Sequence, residues 1–227
     1  MRKIDAGGQG PTATHNVREA LEQVVKTAKA KFDESVDVDV VLGIDSNKGE
    51  QTVRSSVLLP HGTGKKVRVI AFVKSENEDK AKAAGAEFVG GEDLVAKIES
   101  GWLEFDAAIA TPDMMGLVGK VARVLGPRGL LPNNRVGTVT FDFVSIIKEL
   151  KQGRVSFRND KGGVVHAPFG KVSFGVDKLA ENLTSFLKAL QASKPATSKG
   201  KYIRKAFVSS TMGKGFQLNL EDLGIQG

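Results

Sequence analysis

Val67-Arg68-Val69-Ile70-Ala71-Phe72-Val73 decides the fold class of this chain. A strand with one face in water alternates apolar and polar side chains. A strand that is apolar at almost every position is covered on both faces, as in a parallel sheet with helices above and below. From this run towards the C-terminus, the periodicity switches back and forth. A charged helix is expected at 76–84, a short strand at Glu87-Phe88-Val89 and a helix at 92–100. A buried strand follows over Phe105–Ala110, then a helix at 114–125, a strand over Thr138–Phe141 and a helix at 143–151. Strands alternating with helices predict a small, doubly wound α/β layer.

Towards the N-terminus the texture differs. Val17, Ala20, Leu21, Val24, Val25, Ala28 and Phe32 fall at helical spacing, with Asn16 and Glu19 placed as an N-terminal capping pair. Val36, Val38 and Val40 then alternate with Asp37 and Asp39, which reads as a half-buried strand. A second strand at 52–60 is stopped by Pro60. The same style returns after residue 153. Arg154–Asn159 and Val164–Ala167 flank Asp160-Lys161-Gly162-Gly163, a hairpin turn. A helix spans about 177–192, and strands follow at Lys201–Ser209 and Phe216–Leu220. The first 62 residues alone are short of a core. The expected organisation is therefore discontinuous: residues 1–62 and 154–227 form one split β-α-β (α+β sandwich) domain, and 63–153 is an inserted Rossmann-like parallel α/β domain. Two chain crossings joining them predict a hinge.

Composition narrows the function. The 227 residues carry a net charge of +7, and no cysteine is present to form a disulfide or thiolate metal site. No apolar run approaches the roughly 18–20 residues of a membrane span, and the N-terminus lacks the apolar stretch of a secretory signal. No membrane partner and a cytoplasmic location are expected. Residues 1–62 sum to −1, 63–153 to +1 and 154–227 to +7. The whole excess sits in the last third, which points to an acidic partner.

Enzyme motifs fail on inspection. A phosphate-binding Walker loop ending in Gly64-Lys65 requires Gly where Leu59 stands and Ser or Thr where Lys66 stands. The insert has no Gly-x-Gly-x-x-Gly after its first buried strand. His15, His61 and His166 are scattered, without metal-ligand spacing. The acid pairs Asp33-Glu34 and Asp37/Asp39 read as solvation of strand edges. The Asn182-Leu183-Thr184 sequon lies inside an expected helix. A non-enzyme without metal or cofactor is expected; the competing class is a small-molecule or nucleotide-binding α/β protein acting through 63–153.

Three segments carry chemistry suited to RNA. Lys31-Phe32-Asp33-Glu34-Ser35 stands where helix gives way to strand, although Phe32 also fits the apolar helix face. The hairpin contributes Arg158, Lys161, His166 and Lys171. Ser209-Ser210-Thr211-Met212-Gly213 places hydroxyls, a thioether and a glycine at a strand end. Hydroxyls and backbone amides can bond base edges, phosphates and the 2′-hydroxyl, and glycine lets a nucleic-acid backbone come close. Lys31, Lys161, Lys171, Lys201, Arg204 and Lys205 are candidates for phosphate contacts. With Trp102 and Tyr202 single in the chain, a base-stacking platform is disfavoured over shape recognition of a folded RNA.

Thr111–Asn133 reads Thr-Pro-Asp-Met-Met-Gly-Leu-Val-Gly-Lys-Val-Ala-Arg-Val-Leu-Gly-Pro-Arg-Gly-Leu-Leu-Pro-Asn, a mildly basic helix running into a Gly-Pro-Arg-Gly turn that presents Arg128. This string resembles the signature of the bacterial "L-one" family of ribosomal proteins of the large-subunit lateral stalk. So do, in order, Lys31–Val36, Leu59–Lys65, Gly90-Gly91, Gly137-Thr138-Val139, Phe157–Lys161 and Ser210–Gly213, over about residues 17–215. The resemblance implies a two-domain protein, monomeric outside the ribosome, that binds large-subunit rRNA at the stalk beside the E site. It implies contact with E-site tRNA and release of deacylated tRNA. It also implies repression of its own operon through a similar structure in the mRNA. By that resemblance the Phe32 region, the hairpin and Thr211-Met212-Gly213 face rRNA, while Arg123 and Arg128 make a second contact or line the domain interface. Residues 1–14 depart from the basic lead-in usual in the family, and the acidic tail at 221–227 is unsuited to RNA.

Overall fold

The computed structural model describes residues 14–46, 49–198 and 200–220; the atypical N-terminal segment up to residue 13 and the 221–227 tail lie outside them. The described residues form a mixed α/β structure in two compact units. One comprises those up to Val53 with those from Arg158 onward, and the other is Arg54–Phe157. The chain passes between them at 53/54 and 157/158, so the strands near 54–58 and 154–157 group with the inserted unit.

Along the chain, β1 (Thr14–His15) leads into α1 (Val17–Thr27) and β2 (Ser35–Leu42). Asn16 caps α1 by accepting the Arg18 N–H at 3.2 Å. The helix stops at Thr27, short of the expected Phe32: Ala28 is already extended, and the Ala30 N–H turns to the Glu34 side chain instead of bonding back along a helix. Phe32 is consequently 57% exposed and does not close the helix face.

The second unit begins with β3 (Arg54–Leu58), then β4 (Val69–Phe72), α2 (Glu78–Ala84), β5 (Phe88–Gly90), α3 (Glu92–Glu99) and β6 (Ala107–Ala110). Beyond these come α4 (Met115–Val118), α5 (Ala122–Leu125), α6 (Phe143–Gln152) and β7 (Arg154–Arg158). Strands β5, β4 and β6 lie side by side in that order, all parallel. Successive side chains of β4 enter opposite cores. Ile70 and Phe72 pack with Leu94, Ile98, Val118 and Leu125. Val69 and Ala71 pack with Ala81, Phe143 and Ile147. The continuous apolar run is thus explained by helices on both faces. The helix expected at 114–125 is divided into α4, a 3₁₀ turn and α5, with Gly116 and Gly119, poor helix formers, along it. The strand expected at 138–141 reduces to a single bridge between Ala110 and Val139.

From Arg158 the first unit resumes with β8 (Val164–Lys171), α7 (Val176–Ala192), β9 (Ile203–Ser210) and β10 (Phe216–Leu218). Its five strands run in the order β1–β10–β9–β2–β8. Strand β2 lies between β9 and β8 and is antiparallel to both, with Val38 opposite Ala167 and Val208. Helices α1 and α7 cover one face: Ala20, Leu21, Val24, Leu183, Phe186 and Leu190 meet Val36, Val38, Val40, Phe169 and Val208, all fully buried. Asn182 is buried here as well, donating to the Phe169 carbonyl at 2.8 Å, so the sequon is a core residue of α7. The Asp160–Gly163 turn forms, with Asp160 N–H to Val164 O at 2.8 Å. Its two arms do not continue as a hairpin, however. Strand β7 pairs with β3 in a separate two-stranded sheet, and Asn159 exchanges bonds with Val53.

Within the second unit, Gly62 (φ +66) and Gly153 (φ +110) lie backbone against backbone. A Cβ on Gly153 meets the Gly62 Cα at 2.3 Å, and one on Gly62 meets the Gln152 carbonyl oxygen at 2.7 Å. Both faults are in rigid main chain. Gly153→Ala is therefore expected to destabilise the protein by about 2–4 kcal/mol in denaturant unfolding. Gly116→Ala, with open space around its Cβ, is expected to be neutral or to stabilise by up to about 1 kcal/mol. Equal midpoints for the two variants contradict the close approach.

Candidate nucleic-acid interface

One end of the five-stranded sheet gathers three loops. The register sets Ser35 opposite Lys171 and Val36 opposite Ser210, so 28–35, 171–173 and 210–215 converge where β2 begins and β8 and β9 end. Backbone bonds lock them together. Thr211 N–H donates to Ser35 O at 3.1 Å, Ser35 N–H donates to Thr211 Oγ1 at 3.1 Å, and that hydroxyl donates back to Ser35 O at 3.3 Å. Val172 N–H donates to Glu34 O at 3.0 Å. Ser173 donates to Asp33 from both its N–H and its hydroxyl, and the Lys171 ammonium lies 3.7 Å from the same carboxylate.

Glu34 organises this end. It is 1% exposed, and its carboxylate accepts Ala30 N–H at 2.9 Å on Oε1 and Met212 N–H at 3.1 Å on Oε2. The Ala30 amide first, and with it the Met212 amide, hold its carboxyl below the usual range. Reading Asp33-Glu34 as edge solvation is thus corrected for Glu34. No local pattern distinguishes it, because its burial comes from strands distant in sequence. Gly213 is equally constrained: a Cβ there meets the Ser210 hydroxyl at 2.3 Å.

What these locked loops expose is soft. Phe32 is 57% and Met212 74% exposed, and Lys31, Thr211 and Lys214 are exposed around them. Lys214, overlooked in the sequence, adds a cation beside Gly213. Ser210 is buried, whereas Ser209 lies half-buried on the sheet face away from the helices. The remaining candidates are elsewhere. Arg158 and Lys161, with Arg204 and Lys205, are exposed towards the opposite end of the sheet, about 20 Å away by strand rise. His166 sits between the ends, its Nδ1 2.6 Å from Asp39 Oδ1. Arg123 and Arg128 are exposed in the second unit, and Gly129 N–H bonds Gly126 O at 3.0 Å to close the turn under Arg128.

The carboxyl ends of the parallel strands, where α/β folds take ligands, are acidic. Glu92 and Asp93 begin α3, Glu78 and Asp79 begin α2, and Asp113 is paired with Lys74 at 3.1 Å. A nucleotide phosphate meets repulsion there. Among the described residues no group of acids and histidines is placed to hold a metal, and no helix is long and apolar enough to cross a membrane.

Amides, a ring, a thioether and flanking ammonium groups are suited to binding rather than to reaction. The model of the ribosomal protein L1p/L10e family matches residues 24–214. The chain is also 56% identical over 203 residues to the large ribosomal subunit protein uL1 of Maridesulfovibrio salexigens, a match covering 89% of this chain and 87% of that one. The chain belongs to the ribosomal protein L1p/L10e family and is a structural, non-enzymatic ribosomal protein.

Carboxylates of the first unit titrate in opposite senses. Asp33, through the Ser173 hydroxyl, and Asp160, through the Val164 N–H, are held low like Glu34. Each stabilises the fold above its unfolded value and loses that contribution as pH falls through the folded one. Asp37 is pushed up by burial and then by Asp39, so its ionised form opposes folding at neutral pH. Asp37→Asn is expected to raise the melting temperature at neutral pH, the gain shrinking as pH approaches the unfolded value of 3.8. A gain that grows on acidification contradicts this.

Proposed function

We propose that this chain is a component of the large ribosomal subunit in the cytoplasm, binding the lateral-stalk region of large-subunit rRNA beside the E site. The observation that carries the reading is the exposure of Phe32 and Met212 on loops locked by main-chain hydrogen bonds, in a member of a ribosomal protein family. Large apolar side chains held rigidly in water are suited to packing on ribose and base, and the glycine turn at 213 lets an RNA backbone approach. Lys31, Lys171 and Lys214 supply phosphate contacts at this end. Lys161, Arg204 and Lys205 extend the positive surface along the sheet.

The discontinuous domain is the rRNA-binding one in this reading, and the inserted domain offers Arg123 and Arg128 to a second RNA. With E-site tRNA as that partner, the protein assists release of deacylated tRNA. An mRNA segment shaped like the rRNA site would occupy the same loops, which provides for repression of the protein's own operon. The acidic strand ends of the insert weigh against nucleotide binding as the primary role.

A salt titration of full-length protein against a stalk-region rRNA fragment, with an unrelated duplex of equal length as control, tests the reading. A preference for the fragment that persists at high salt is expected. Equal binding to both, lost steeply with salt, removes it. Met212→Glu is expected to weaken fragment binding at least about tenfold, or ~1.4 kcal/mol, with an unchanged melting temperature. Thr211→Val is a less clean probe: it strands the Ser35 N–H, costing about 1–2 kcal/mol of stability as well.

A further inference from the structure

We propose that Glu34 is a positioning residue for RNA recognition, a carboxylate clamp whose two oxygens set the relative placement of the Phe32 loop and the Met212 turn. The inference rests on the reading that these loops bind RNA. Oε1 takes the N–H of Ala30, in the loop that carries Lys31 and Phe32, and Oε2 takes the N–H of Met212. Neither bond belongs to the strand ladder. The two segments are also joined through Ser35 and Thr211, next to the Val36–Ser210 pair of the β2–β9 ladder. A carboxylate suits the place because both oxygens accept and both partners donate. An amide turns an N–H towards one of those donors, and an aspartate falls one methylene short of spanning them.

Burial separates this role from a contact role. At 1% exposure Glu34 offers no surface to a ligand, and a negative charge opposes phosphate binding. Removing the charge strengthens RNA affinity if Coulomb attraction governs. Loss of the clamp weakens it. The sign of the change therefore distinguishes the two effects.

The test compares wild-type protein, Glu34→Gln and Glu34→Asp in the stalk-fragment titration, at a temperature where circular dichroism shows each folded. Hydrogen exchange is followed at the amides of Ala30, Met212, Val38 and Val208. The proposal expects affinity at least about tenfold weaker in both variants, with the salt dependence unchanged because no phosphate contact is lost. It expects faster exchange at Ala30 and Met212, with Val38 and Val208 as in wild type. Affinity equal to or tighter than wild type in Glu34→Gln overturns it. So does global unfolding of both variants, which makes Glu34 a residue of the fold. Wild-type protein that fails to prefer the fragment defeats the functional reading instead, and the exchange pattern then reports on the clamp alone.

Discussion

The pairing of β2 with both β8 and β9 is the constraint on which the first unit depends. A strand from near the N-terminus is held between two others, and both partners come after the inserted residues in sequence. Val36, Val38 and Val40 find their ladder partners there. The N-terminal residues can form α1 locally, but with nothing to pack on it the helix is too short to persist alone. Ordering this unit therefore means closing a long loop before any core contact compensates, a cost that grows only slowly with loop length and falls mainly on folding rate.

The same pairing makes the interface. A sheet is stiff along its hydrogen-bonded ladder, and where β2, β8 and β9 meet at one end their loops are presented as one surface. Chemistry and charge are distributed differently on it. The ring of Phe32 and the thioether of Met212 stand together on tied loops, whereas Lys161, Arg204 and Lys205 lie towards the other end. The exposed apolar side chains and these cations are thus separated along the strands. Acids also face this side of the sheet: Asp37 is half-buried and Asp39 is committed to His166, so the surface is not uniformly positive.

Much of this was legible in the sequence. The apolar run at 67–73 announced a sheet covered on both faces, the valine alternation announced β2, and ordered motifs pointed to the family. Errors arose where tertiary contacts override local preference. Helical spacing continues to Phe32, yet Ala30 N–H goes to a side chain and the helix ends earlier. The Asp160–Gly163 turn has hairpin chemistry, but Asn159 bonds Val53 and β7 leaves with β3. Glu34 was the largest omission. An acid following a helix ordinarily faces water, and a partner more than a hundred residues away, Met212, helps to hold it inside. Phe32 is the converse, an aromatic with core-like spacing held in solvent by the turn that Glu34 ties.

The placement of the 210–213 turn has a consequence for biosynthesis. It is made long after the segment it locks, 30–35, with 176 positions separating Ser35 from Thr211. A polypeptide whose synthesis stops before residue 210 has neither the Met212 amide to clamp nor the completed β9 beside β2. In such a fragment the 30–35 segment lacks the partner that ties it, so this end of the sheet is assembled only in chains that extend past residue 212.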